Sequence, residues 1–413
     1  MLFFYRILIN LVLLLSPIII LFRIIKKKEH PTRFLEKLGI SSKNRMQGKV
    51  IWFHGSSVGE VLSIMPLIER LEKNSKIKQI VITSSTLSSS KVLEKYKLNK
   101  TVHQFFPIDA NLIIKKFLNY WKPTAVFFVE SEIWPNTIQN LHKRNIKIAL
   151  LNARITNKTF TKWFKFKSFS KDIFNKFDLC LCQNKETKLY LKKLGAKNIK
   201  NLGNLKFSES KKIKKINKIK NFKLLNNKNI LFGGISTHYD EEIFCGKVHL
   251  ELKNKYKKFI SIIIPRHVNR AESIKNDLEN LKLKVHLHSS KINIENDTDI
   301  YLVDTYGEVS KFYKISNIVF IGGSLIDHGG QNPLEPAKFG CKIIHGPFIS
   351  NFKEIFQKLK FMGITSEFKS YETGIKIIEK KIKKNSKNFK NDKIIKYGKK
   401  VLDLNYAQLK KFI

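Results

Sequence analysis

Acidic residues are scarce in this sequence. Its 413 residues hold 33 Asp and Glu against 78 Lys and Arg, a net charge of +45, so the expected partners are anionic: nucleic acid, an acidic membrane surface or phosphorylated substrates. Lys, Asn and Ile are all abundant, and part of the excess is compositional bias. Cysteine is scarce too. Cys180, Cys182, Cys245 and Cys341 are too scattered for a disulfide framework or a zinc knuckle, which fits a reducing compartment. Cys180 and Cys182 alternate within "FDLCLCQ" and are expected on one buried strand face. No H-E-x-x-H or paired C-x-x-C occurs, so neither a metal nor a cofactor is expected.

Long apolar runs are missing except at the N-terminus, where Ile7 to Phe22 reads "ILINLVLLLSPIIILF" before "RIIKKK". The run is shorter than the roughly 20 residues of a confident span, and Pro17 interrupts it. A cleaved signal peptide carries its charge ahead of the apolar core, whereas most of the charge here follows. The expectation is an anchor, spanning or in-plane, with Arg23, Lys26, Lys27 and Lys28 on the cytoplasmic side.

After the anchor, short apolar runs such as "KVIWFH", "KQIVITS", "AVFFVE", "IKIALLN" and "DLCLCQ" alternate with amphipathic segments. Strands of this kind predict parallel sheets covered on both faces. The rhythm restarts at "NILFGGIS", after a lysine-rich stretch. The expected organisation is an anchor and basic flank over 1–28, a Rossmann-like domain over 29–207, a basic linker over 208–228, and a second Rossmann-like domain with terminal helices over 229–413. In such a pair of α/β domains a ligand is expected in a cleft at the strand C-termini.

The stretch "FHGSSVGEV" from Phe53 contains G-x-S-x-G between a strand and a helix. It suits either a nucleophilic Ser57 or a turn presenting Glu60. A serine hydrolase also needs an oxyanion loop on an earlier strand, and this turn follows the first strand of its domain. Glu130 and Glu132 in "FFVESEIWPN" end a strand before a helix starting near Trp134 and Pro135; acid–base work suits Glu130, and the helix dipole is the better account of Glu132. Ser236, Thr237 and His238 are expected in a turn opening a helix, and Arg266 follows a strand as a phosphate-binding guanidinium. The pairs Gly322–Gly323 and Gly329–Gly330, with Glu335 in the first turn of a helix near Pro333, suit a nucleotide: amides for phosphate, a carboxylate for ribose or base. Nucleic-acid binding would need a recognisable module, and none is present, so no nucleic-acid partner is expected.

"HGSSVGEV", "FFVESEIWPN", "LNARIT", "NLGNLKF", "STHYDEE", "PRHVNR", "DTYGEV", "FIGGSL", "GGQNPLEP" and "GPFISNF" resemble, in order and spacing, motifs of the bacterial 3-deoxy-D-manno-oct-2-ulosonic acid (Kdo) transferases. The resemblance covers nearly the whole chain, with "PTRFLEKLG" similar to that family's basic juxtamembrane segment. It implies a GT-B fold and an inverting transferase using CMP-Kdo as donor and lipid IVA as acceptor at the inner membrane. Glu60 then looks like the general base, and Glu130 and Lys206 resemble transition-state stabilisers. The positions matching the CMP site are Pro265 and Arg266, then Tyr306, Gly307 and Glu308, then Asn332, Pro333, Leu334 and Glu335. Departures are "ITSSTLSSS" in place of T-x-T-P-T-G, Tyr306 where Met is usual, and Gln331 where His is frequent. The runner-up is another membrane-associated GT-B transferase with a different nucleotide sugar.

Overall fold

The computed structural model describes residues 1–208, 225, 230–383 and 392–413. Apart from Ser208 and Leu225, the expected linker 208–228 lies outside the described residues. The chain divides into two compact units, Met1–Ser210 with Tyr397–Ile413, and Lys211–Lys396.

The first unit holds a parallel sheet of seven strands: β1 (Val50–His54), β2 (Gln79–Ser84), β3 (Thr101–Phe105), β4 (Ala125–Val129), β5 (Lys147–Ala153), β6 (Leu179–Cys182) and β7 (Ile199–Asn201), in the order β3-β2-β1-β4-β5-β6-β7. Strand side chains alternate between faces, and both faces are covered, which is why these strands read as unbroken apolar runs. In β1, Val50 and Trp52 enter one core cluster while Ile51 and Phe53 enter the other. Cys180 and Cys182 share a cluster as expected, with Leu179 and Leu181 on the opposite side. The exposed edge of β3 is closed by the segment after the N-terminal helix: Phe105 N donates to Glu36 at 2.7 Å and Arg33 Nη2 to His103 O at 2.8 Å. A buried acid and its arginine thus cap an edge that would otherwise template aggregation.

The second unit has its own seven-stranded parallel sheet: β8 (Ile230–Thr237), β9 (Phe259–Pro265), β10 (Val285–Leu287), β11 (Ile300–Leu302), β12 (Ile318–Ile321), β13 (Lys342–His345) and β14 (Thr365–Glu367), in the order β10-β11-β9-β8-β12-β13-β14. Ser236 and Thr237 finish β8 rather than forming a turn, and the following helix starts only at Glu241.

The end of the chain corrects the expected boundary. Residues 397–413 belong to the first unit, not to the second. Val401, Leu402 and Leu409 of the terminal helix Asp392–Phe412 pack into the face of the first sheet lined by Ile51, Phe53 and Phe127. The two-sided sheet needs apolar cover there, and the helix supplies it, with Leu402 and Leu409 two turns apart on one face. Its Gly398 is the point of closest approach: a Cβ would lie 2.3 Å from Phe207 O.

Candidate active site

Strand order in the first sheet reverses between β1 and β4, so the loops leaving their C-terminal ends diverge and open a crevice, the usual ligand position in such sheets. The loop after β1 delivers Glu60, and the loop after β4 delivers Glu130 and Glu132. Ser57 caps the helix Val58–Leu71. Its Oγ accepts from Glu60 N at 3.4 Å and donates to Glu60 Oε1 at 2.9 Å, while Ser56 N donates to Oε2 at 2.7 Å. This reciprocal cap commits the Ser57 hydroxyl to Glu60 and fixes the carboxylate. Gly55 is needed for that approach, since its Cβ would meet Glu60 Cβ at 3.2 Å; Gly59 has open space around it.

A helix N-terminus by itself favours an ionised carboxylate, and the environment of Glu60 acts the other way. Burial first, and the negative charges of Glu132 and Glu130 second, push the Glu60 carboxyl up to about 7. Desolvation and like charge outweigh the cap hydrogen bonds. The result is a carboxyl poised near neutral pH, where a general base works best.

Glu130 is buried and sits at φ +57. Its N–H donates to Leu151 O at 2.9 Å and its carbonyl accepts from Arg154 N at 3.2 Å, which holds a left-handed conformation that costs a non-glycine residue about 1–3 kcal/mol. Lys206 Nζ lies 2.6 Å from Glu130 Oε1. The turn bearing Lys206 hangs on buried amides: Leu205 N donates to Asn152 Oδ1, Gln183 Nε2 to Asn152 O and Asn204 Nδ2 to Gln183 Oε1, each at 2.9 Å. Sequence reasoning missed these amides, because each lies in or after a different strand and only the fold assembles them.

Glu132 does more than serve a helix dipole. Its Oε2 accepts from His54 Nε2 at 3.0 Å and from Trp134 Nε1 at 2.8 Å. His54 is fully buried, with Nδ1 3.0 Å from Thr83 Oγ1. Nδ1 also lies 3.2 Å from Thr83 O, so the ring is held between Glu132 and β2. The first unit therefore brings Glu60, Glu130 and Lys206 to one end of its sheet, with Glu132 beside them.

In the second unit the three segments matched to the CMP site follow β9, β11 and β12, all at the C-terminal edge of one sheet. Pro265 ends β9, and Arg266 N donates to Thr237 O at 2.9 Å, leaving an exposed side chain. Tyr306 is exposed, Gly307 takes φ +85, and Glu308 precedes the helix Val309–Ile315 and pairs with Lys311. Asn332 Oδ1 accepts from Leu334 N at 3.0 Å, Pro333 caps the helix Leu334–Lys338, and Glu335 lies in its first turn. The glycine loop does not offer its amides as expected. Gly323, Ser324 and Leu325 N–H groups donate to the buried Glu241 carboxylate at 2.7, 3.0 and 3.0 Å, and Gly330 N donates to Gly323 O. Glu241, three residues after His238 and also accepting its N–H, organises the loop; "STHYDE" has the spacing of a cap and was the available signal. Basic side chains gather nearby. The His238 ring lies 4.5 Å from that of His328 and 6.0 Å from that of His267, and burial followed by these neighbours and Arg266 and Arg270 holds His238 down to about 4. No group of three or more metal-ligating side chains occurs among the described residues.

The chain is similar to known proteins over most of its length. Residues 32–209 match the family model for the 3-deoxy-D-manno-octulosonic-acid transferase (kdotransferase) N-terminal region. The chain is 32% identical over 406 residues to a 3-deoxy-D-manno-octulosonic acid transferase of Rickettsia bellii, covering 96% of both chains. It is 28% identical to one of Haemophilus influenzae, over 86% of this chain and 84% of that protein. In fold alone it is similar to UDP-GlcNAc 2-epimerase of Neisseria meningitidis (TM-score 0.58, 15% identity, 88% of this chain and 100% of that chain) and to a glycosyltransferase of Rickettsia africae (TM-score 0.55, 13% identity, 89% and 97%). With two parallel α/β sheets, an N-terminal apolar helix and a relative matched over nearly its whole length, this chain belongs to the 3-deoxy-D-manno-octulosonic acid (Kdo) transferases, glycosyltransferases of the GT-B fold.

Proposed function

We propose that this Kdo transferase takes its sugar from CMP-Kdo and places it on lipid IVA, with inversion, in lipopolysaccharide assembly at the cytoplasmic side of the inner membrane. The acceptor hydroxyl oxygen attacks the anomeric carbon as the bond from that carbon to the CMP phosphate oxygen breaks. Glu60 takes the hydroxyl proton and CMP departs as the anion. Lys206, paired with Glu130, offsets charge developing in the transition state. Pro265, Arg266, Tyr306–Glu308 and Asn332–Glu335 hold the CMP, Arg266 meeting its phosphate.

The observation that carries this reading is the Glu60 carboxyl: capped by Ser57, crowded by two carboxylates, and titrating at about 7. A proton acceptor is what an inverting transfer to a hydroxyl requires. The N-terminal helix Leu2–Ile25 is long and apolar enough to cross a membrane, which supports a lipid acceptor. Incubating the full-length chain with lipid IVA and a CMP-Kdo-generating mixture tests the proposal by product mass. One or two added Kdo masses are expected, and unchanged lipid beside an active control enzyme overturns the assignment of donor and acceptor.

A further inference from the structure

The N-terminal helix Leu2–Ile25 is tied to the first unit at both ends. Near its start, Tyr5 Oη donates to Asp109 Oδ2 at 2.7 Å and Arg6 Nε to Asn136 Oδ1 at 3.0 Å. Near its end, Arg23 Nε donates to the buried Glu29 carboxylate at 3.1 Å, after the chain doubles back through Lys27 at φ +53. Between these ties, Arg6, Ile9, Leu13, Ser16, Ile20 and Arg23 are buried or half-buried. They recur at three- and four-residue steps, so one face of the helix is shielded over its length. The opposite face is apolar and open, with Phe4, Ile7, Leu11, Leu14, Ile18 and Phe22 each at least 50% exposed.

A helix of 24 residues is about 36 Å long, and a bilayer's hydrocarbon core is about 30 Å thick. If it spanned, Tyr5 and Arg6 would be across the membrane from the body that holds Arg23 and Glu29. Their bonds to Asp109 and Asn136 require both ends on one side. We infer that this helix lies in the membrane plane, its inner face on the first unit and its outer face in a single leaflet. The leaflet is anionic, because Arg23, Lys26, Lys27 and Lys28 close the helix of a chain whose net charge is +45. This rests on the reading that the helix attaches the enzyme to a membrane.

The test uses full-length chain with a short cysteine-bearing extension before Met1, and a second variant, Lys165→Cys, marking the body. The four native cysteines are buried and stay unlabelled. Right-side-out and inverted vesicles from an expressing bacterium are treated with a membrane-impermeant maleimide. Both sites are expected to label only in inverted vesicles. Labelling of the N-terminal cysteine from the right-side-out face, with Lys165→Cys protected there, overturns the in-plane geometry. Recovery of the chain in the supernatant instead overturns membrane attachment itself, a separate failure.

Discussion

Glu60 stores a cost that its proposed role as base requires. The folded chain keeps the proton up to about 7 against an ordinary value of 4.5, so folding binds a proton between these values and stability falls as pH rises through that window. Glu60→Gln removes the penalty. The melting temperature of the variant is expected to gain on the parent between pH 5 and pH 8, while turnover drops roughly 10²–10⁴-fold. The parent's kcat/KM should climb with pH through about 7 and then level, and a flat profile would count against Glu60 as base. The position of Glu60 was readable from "SSVGE", because the cap and the strand-turn-helix context are local. Its raised carboxyl was not, because the burial that mainly causes it needs the assembled fold, and Glu132 and Glu130 follow another strand some 70 residues on. Glu132 was misread for the same reason: its partner His54 belongs to the neighbouring strand.

At the scale of elements, the apolar runs of β1, β2, β4, β5 and β6 announced the first sheet because both their faces are buried. The edge strands β3 and β7 and the short β14 lack that signature: Thr101 to His103 are only half-buried, and β7 is three residues long. The partner of the terminal helix was also hidden, since a stripe of Val401, Leu402 and Leu409 says that a helix packs but not on what. Gly398 reveals the contact. Adding a methyl group there drives it against the carbonyl of Phe207, next to Lys206. Gly398→Ala is expected to lower stability by about 1–3 kcal/mol and to lower kcat with it, measured by urea denaturation and product formation. Gly59→Ala, in open space within a helix, is the control: its stability should hold or rise by up to about 1 kcal/mol.

For the whole molecule, rhythm and composition made two α/β units and an apolar first helix legible, and the segments proposed to hold the donor fall at one sheet edge, as nucleotide loops follow parallel strands. What that helix touches was beyond periodicity. Asp109, buried at the base of that helix, accepts from Tyr5 Oη and from the N–H groups of Asn136 and Thr137, so it satisfies the start of the helix Pro135–Lys143. Trp134, which holds Glu132, immediately precedes that helix. A chain beginning at Glu29 is therefore expected to be less stable, by about 1–3 kcal/mol for the bonds withdrawn from Asp109 and Asn136, and to turn over more slowly even on acceptor dispersed in detergent. Replacing Phe4, Ile7, Leu11 and Phe22 with serine should free the enzyme from membranes while keeping its melting temperature and detergent-phase rate. A soluble form of this enzyme is better obtained by repainting its first helix than by trimming it away.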